Sequence, residues 1–331
     1  MSEGANPRAP ALFSLHSGQP LLERICAGLS VAPASLEERD FEDGEHKLRP
    51  LESVRGRDVY VVESLAADSA RSVDDKLVRV LFLLGTLRDA GARRVTVVAP
   101  YLCYARKDMR TKPRDPVTIR YLAQLFEAAG AQRIVTLDVH NRAAYENAFR
   151  IPAQHLTAAP LLVQALVPLV GEAEVVVVSP DAGGVKRAER FRQAFERQLG
   201  RPVGFAFVEK FRSEGVLRGG RVAGDVSGRC AVIVDDLISS GRTLARAAAA
   251  CRELGAQRAF AAVTHGVFSA ECGAALEASV LERVVLLDTI SRPPPAGLAP
   301  QRLQVLGCAP LLAEAIRRLH DEGSLVELED A

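Results

Sequence analysis

The sequence predicts an α/β protein made of two similar domains, each a mostly parallel sheet flanked by helices. Three observations predict it. Short, β-branched apolar runs recur between helix-like segments; several helix-to-strand junctions resemble one another; and polar residues gather where the apolar runs end. Brief strands that are apolar on both faces and alternate with helices are the pattern of a parallel sheet covered on both sides.

In chain order, the expected strands are VYVV (59–62), VTVVAP (95–100), IVTLDV (134–139), VVVVSP (175–180), AVIVDD (231–236) and VVLLDT (284–289). Three junctions lead into strands with similar residues: LRDAGARRVTVVAPY (87–101), FEAAGAQRIVTLDVH (126–140) and CRELGAQRAFAAVTH (251–265). Each places a glycine where a helix ends in a left-handed residue. Recurrence of the third so far downstream points to a duplicated α/β domain. Pro and small residues interrupt the pattern at IPAQHLTAAP (151–160), so the domains are set at 1–155 and 156–331. RPPPAG (292–297) reads as a loop. PLLAEAIRRLH (310–320) has the periodicity of a closing amphipathic helix, one that can pack back on the first domain.

Composition narrows the function classes. A chain of 331 residues with 48% hydrophobic residues has ample material for two cores. Forty-two basic against 41 acidic residues give no global attraction to nucleic acid or acidic membranes, and Trp is absent. No helix-turn-helix with a basic recognition face stands out. The six cysteines lack CxxC spacing, which argues against a zinc site or disulfide framework and fits reduced thiols. The opening residues lack the apolar stretch of a signal peptide, and every apolar run is strand-length, so a cytoplasmic protein is expected.

In an open parallel sheet, ligands bind outside the carboxyl ends of the strands. There this chain has YLCYARKDMR after the strand at 95–100, HNR after 134–139, DAGGVKR after 175–180 and LISSGRT after 231–236. In the last case Asp235 and Asp236 close the strand, and Ser239, Ser240, Gly241, Arg242 and Thr243 lead into a helix. Amide groups at the helix start, with Ser and Thr hydroxyls, make a cradle for a phosphate monoester. Carboxylates beside it repel phosphate but suit the hydroxyls of a ribose, or a metal. The competing interpretation, a helix cap with two solvated acids, suits such a turn when no strand precedes it.

CAVIVDDLISSGRTLA (230–245) resembles the phosphoribosyl-diphosphate (PRPP) motif of type I phosphoribosyltransferases, a group of salvage enzymes, regulators and the enzyme that makes PRPP. The motif does not choose among them. FEDGEHK (41–47), YLCYARKD (101–108), TLDVHNRAAYENAF (136–149), VVSPDAGGVKRA (178–188) and VEKFR (208–212) resemble successive blocks of the ribose-phosphate diphosphokinases. The likeness spans about 12–325, nearly the whole chain. It implies two type I phosphoribosyltransferase-like domains.

The resemblance implies roles that the residue types can fill. Phe41, Asp43 and Glu45 offer a ring and acceptors for an adenine-like base; in the family this loop reaches a neighbouring subunit, implying a homo-oligomer, hexameric or dimer-based. Arg106, Lys107 and Asp108 fall in the ATP-binding block, where a guanidinium fork grips polyphosphate oxygens; Lys107 departs from the family's usual glutamine. His140 and Asp181 fall where the family holds Mg²⁺. Lys210 and Arg212 fall on a stretch read as a mobile loop, 209–226, whose cations close over the reacting phosphates. Arg242 stands where the family commonly has a small residue.

The implied reaction is transfer of the β,γ-diphosphoryl group of MgATP to the C1 hydroxyl of ribose 5-phosphate, giving PRPP and AMP. No GxxxxGK[ST] loop occurs. The alternatives are a phosphoribosyltransferase that consumes PRPP and a non-catalytic relative that modulates a true synthetase. The second domain and the 41–47 block speak against the first, and retention of Lys210 and Arg212 speaks against the second.

Overall fold

Each expected apolar run forms a strand, and the chain folds into two units. The computed structural model describes residues 9–213 and 216–329. The first unit extends to Thr157 and resumes at Cys308; the second is Ala158–Gly307.

The first unit opens with β1 (Ala11–Phe13), a 3-10 turn at His16–Gly18 and α1 (Gln19–Leu29). An antiparallel hairpin follows, β2 (Leu36–Asp40) with β3 (His46–Pro50), as a two-stranded sheet of its own. Then come β4 (Asp58–Val62), α2 (Val73–Asp89), β5 (Arg94–Ala99), α3 (Thr118–Ala129), β6 (Arg133–Leu137), α4 (Arg142–Ala148) and β7 (Ala153–Leu156). The main sheet has the order β1-β4-β5-β6-β7, parallel throughout. Pattern explains placement: β4 is buried at every position, and α3 buries Ile119, Leu122, Ala123 and Phe126, one face of a 3.6-residue period. That helix stops at Gly130, whose φ of 112° is the left-handed cap expected there.

The second unit comprises α5 (Ala159–Val170), β8 (Val175–Ser179), α6 (Val185–Leu199), β9 (Gly204–Ser213), β10 (Val216–Ala223), β11 (Cys230–Ile238), α7 (Arg242–Glu253), β12 (Arg258–Gly266), α8 (Cys272–Glu277), β13 (Arg283–Leu287) and β14 (Leu303–Leu306). Its sheet has the order β10-β9-β8-β11-β12-β13-β14, with β10 antiparallel to β9. The chain then returns to the first unit with α9 (Ala309–His320), which packs on α1, and α10 (Val326–Glu329). The stretch 209–226, expected to be a loop, largely forms the β9–β10 hairpin. Its glycines and arginines hid an edge pair whose register shifts between Leu217 and Gly220.

The duplication is visible in hydrogen bonds. Ahead of β4, Gly56 N–H donates to Gly91 O at 2.8 Å, and ahead of β11, Gly228 N–H donates to Gly255 O at 2.9 Å. Gly56 and Gly228 have φ of 72° and 73°. Beyond the sheets, Asp138 N–H donates to Leu156 O at 3.0 Å, and Asp288 N–H to Leu306 O at 2.8 Å. Thus β1, β4, β5, β6 and β7 correspond to β8, β11, β12, β13 and β14, and the hairpin β2–β3 corresponds to β9–β10. One difference matters. In the second unit the hairpin joins the main sheet beside β8, so the strand order reverses between β8 and β11. Open α/β sheets bind ligands at such a reversal.

Among the described residues no helix is long and apolar enough to cross a membrane. All six cysteines are buried free thiols.

Candidate functional site

The reversal in the second unit brings together the ends of β8 and β11. Ser179, fully buried at the end of β8, donates its Oγ–H to Asp181 O at 2.7 Å. Asp181 Oδ1 accepts from Gly184 N–H at 3.1 Å, capping the 3-10 turn that leads into α6. A Cβ at Gly184 would lie 2.8 Å from Ser179 Oγ, so the turn has no room for a side chain.

The first turn of α6 supplies a residue that the sequence reading passed over. Arg187 Nη1 lies 3.1 Å from Asp235 Oδ1 and 3.2 Å from Asp236 Oδ1. The adjacent carboxylates of β11 are therefore bridged by one guanidinium. Burial and the neighbouring Asp236 push the Asp235 carboxyl up to about 7, against the pull of Arg187. Arg187 stands inside the quoted 178–188 block, so its residue type was the available signal.

Beyond the carboxylates, Ser239, Ser240 and Gly241 turn the chain into α7. Gly241 has φ of 74°, and a Cβ there would meet Leu276 Cγ at 3.1 Å. At the start of α7 the N-cap Gly241 offers no side-chain cap, Ser240 Oγ accepts from Arg242 N–H at a long 3.5 Å, and the first turn has no acidic residue. Its counterpart α2 is capped by Ser72 and carries Asp74 and Asp75 there. The end of α7 is thus suited to an incoming anion. Arg242, exposed, pairs with Glu271, so the bulk that departs from the family is directed at that carboxylate. Thr243 follows it in the first turn. Lys210 and Arg212 lie on β9, paired in register with Gly220 and Leu217; their side chains fall outside the described part.

In the first unit, Phe41, Asp43 and Glu45 form the exposed tip of the β2–β3 hairpin. Phe41 N–H donates to Glu45 O at 2.9 Å, Asp43 Oδ1 accepts from Glu45 N–H at 3.0 Å, and the Arg39 guanidinium lies 5.0 Å from the Phe41 ring centre. Arg106 is exposed on the segment between β5 and α3. Lys107 Nζ lies 2.7 Å from Asp115 Oδ2, which also accepts from the Thr111 and Lys112 amides, so Lys107 braces its own loop. Asn141 Nδ2 donates to Asp108 Oδ2 at 2.7 Å, tying that loop to the turn carrying exposed His140.

The structure thus gathers Asp181, Asp235, Asp236 and the 239–243 turn in the second unit, and Asp108 with the His140 turn in the first. Asn141 and Asp115 join Arg187 as residues that sequence reasoning missed. Among the described residues no three His, Cys, Asp or Glu side chains form a metal cluster.

Residues 10–130 match the family model of the N-terminal domain of ribose phosphate pyrophosphokinase, and residues 219–329 that of the phosphoribosyl synthetase-associated domain. A ribose-phosphate pyrophosphokinase from Hyphomonas neptunium is 38% identical over 96% of this chain and 99% of its own length. One from Clostridium perfringens is 35% identical over 95% of each chain. The crystal structure of phosphoribosylpyrophosphate synthetase from Mycobacterium smegmatis superposes with a TM-score of 0.85 at 34% identity, covering 95% of this chain and 99% of that one.

Proposed function

The chain belongs to the ribose-phosphate pyrophosphokinase family, and from that premise we propose how its residues divide the family's reaction. The reaction transfers the β,γ-diphosphoryl group of ATP to the C1 hydroxyl of ribose 5-phosphate and yields PRPP and AMP. The C1 oxygen forms a bond to the β-phosphorus, the bond to the α-phosphate oxygen breaks, and AMP leaves with that oxygen. The hydroxyl proton is released. Such a transfer needs alignment and charge neutralisation rather than a covalent intermediate.

The observation that carries the assignment is the β8–β11 reversal, with bridged carboxylates beside an uncapped helix start. The 5-phosphate sits on the 239–243 turn and the first amides of α7. Asp235 and Asp236 accept hydrogen bonds from the ribose hydroxyls, held in place by Arg187. Phe41 stacks on the adenine while Asp43 and Glu45 accept from its amino group. Arg106 grips the polyphosphate, and Lys107 acts through the shape of its loop. Lys210 and Arg212 meet the phosphate oxygens that gain charge during transfer.

His140 in the first unit and Asp181 in the second are each the type of donor, one imidazole and one carboxylate, that could give a single ligand to an ion that keeps most of its oxygens from water and substrate, as Mg²⁺ does. Mg²⁺, when bound, would supply positive charge against the phosphate oxygens.

Assembly into a homo-oligomer, hexameric or dimer-based, is supported by apolar side chains left exposed on neighbouring helices: Val78 and Phe82 on α2, Tyr121 and Leu125 on α3.

Incubation with β-³²P-labelled ATP and ribose 5-phosphate tests the proposal. Label passes to PRPP while AMP appears unlabelled, and a chelator stops both. Label recovered only in ADP or inorganic phosphate contradicts it.

A further inference from the structure

Among the described residues the hairpin β2–β3 has no backbone ladder to the rest of its unit. Its counterpart β9–β10 does, through β9 and β8. A lone two-stranded hairpin is marginal in water and needs packing to hold an orientation. Leu48 supplies some, buried in the core of the unit. A ring stack adds a contact at the far strand, with His46 and Phe82 centroids 5.4 Å apart.

Leu36 of β2 packs against the same core, and an ionic attachment centres on one side chain of α2. Arg79, buried at 5% side-chain exposure, donates from Nε to Asp75 Oδ1 at 2.9 Å, from Nη1 to Glu38 Oε1 at 3.2 Å and from Nη2 to Asp40 Oδ1. Two of these carboxylates belong to β2. Glu38 is the deepest, at 1% side-chain exposure, and also meets Arg71 Nη2 at 2.9 Å and the His16 amide at 2.8 Å. Arg71 reaches Asp40 as well, at 3.4 Å. Only Arg39 and Asp40 separate Glu38 from Phe41. A guanidinium is a rigid fork, so it fixes the direction of the strand it holds as well as its distance. Removing it leaves a buried carboxylate short of a partner, and the tip half of the hairpin, where Glu38 and Asp40 pair with Leu48 and His46, is where that cost falls.

We propose that Arg79 is a positioning residue for nucleotide recognition: by clamping Glu38 and Asp40 to α2 it sets the orientation of the tip that carries Phe41, Asp43 and Glu45. In the first unit an ionic clamp takes the place of the sheet ladder that anchors the equivalent hairpin of the second. The proposal rests on reading that tip as the adenine-recognising element.

The test compares Arg79→Met, Arg79→Lys and Glu38→Gln with the unaltered enzyme, by steady-state kinetics and by hydrogen exchange of hairpin amides 39–47 against those of β5 and β6. Misplacing a recognition element by about 1 Å costs on the order of a hundredfold. The KM for ATP is therefore expected to rise about ten- to a hundredfold in Arg79→Met, and less in Arg79→Lys. The KM for ribose 5-phosphate should hold within about twofold, a split that general loss of folding does not produce. Hairpin amides should exchange faster while β5 and β6 amides keep their rates. A parallel rise of both KM values, or hairpin exchange at the unaltered rate, overturns the proposal. Where Arg79→Met does not fold, Arg79→Lys and Glu38→Gln carry the same comparison, since each leaves part of the clamp. Phe41→Ala separates the two claims. An unchanged KM for ATP there removes the nucleotide reading and with it Arg79's functional role, whereas the exchange data still report on the clamp.

Discussion

Arg187 changes what the adjacent aspartates of β11 can do. Two carboxylates sharing a buried strand end repel each other, and a single guanidinium at 3.1 and 3.2 Å offsets only one charge. Burial above all, with the neighbouring Asp236 adding to it, pushes the Asp235 carboxyl from its usual 3.8 up to about 7. A raised native-state pKa means that the folded protein binds a proton the unfolded chain releases. The stability this group contributes is fully present below about pH 4 and is lost as pH climbs to about 7. Asp235→Asn should thus be no more stable than the unaltered protein at pH 4, gain progressively up to pH 7 and hold that gain at pH 8. Thermal melts across this range check it, and a pH-independent difference sinks the cause given for the shift. The carboxylates and the turn after them were legible in the sequence because they are contiguous. Arg187 with Asp235 and Asn141 with Asp108 were not, since the partners stand 48 and 33 residues apart and meet only on folding.

Among the elements, the helix starts divide by occupation. The first turn of α2 is filled by its own Ser72 and two aspartates, whereas that of α7 has a glycine N-cap, one long bond from Arg242 N–H to Ser240 Oγ and no acidic residue. The turn ahead of α6 depends on space. Gly184 has an ordinary φ of −85°, so an alanine there meets no backbone strain, but its Cβ would push on Ser179 Oγ. Gly184→Ala should cost about 1–3 kcal/mol in denaturant unfolding, as overpacking does, and an unchanged midpoint would show that the turn can shift. The β9–β10 hairpin was the element least legible in sequence. Gly219 and Gly220 break the two-residue alternation where the register shifts, and Arg218 and Arg221 are residue types that guard an exposed edge. Strand pairing there runs through backbone, so Lys210→Ala should leave the fold intact while lowering kcat by about 10²–10³. Near-normal turnover removes this strand from the mechanism.

At the scale of the whole molecule, one α/β plan is used twice and specialised by its hairpins. One hairpin stands apart from its sheet with a ring and acids at its tip; the other extends its sheet and carries two cations. The likeness of the 87–101 and 251–265 junctions gave this away in sequence, because a left-handed glycine entering a strand is local chemistry. The membership of α5 and α9 was less visible. The two helices begin alike, with Pro160 and Pro310 in their first turns, yet α5 belongs to the second unit and α9 to the first. Amphipathicity shows that a helix packs, not on which core. The apolar residues exposed on α2 and α3 belong to this scale too: Phe82→Glu with Tyr121→Glu should lower the molecular mass measured by light scattering, and an unchanged mass places the subunit contact elsewhere. The central claim is that the second unit's reversal holds the pentose ester and the nucleotide is recognised by other residues. Calorimetric titration of Asp235→Asn/Asp236→Asn with each substrate alone tests it most directly. Ribose 5-phosphate affinity should fall at least about tenfold, the loss of about one hydrogen bond to a charged group, with ATP affinity unchanged. Equal weakening of both, or weakening of ATP alone, contradicts it.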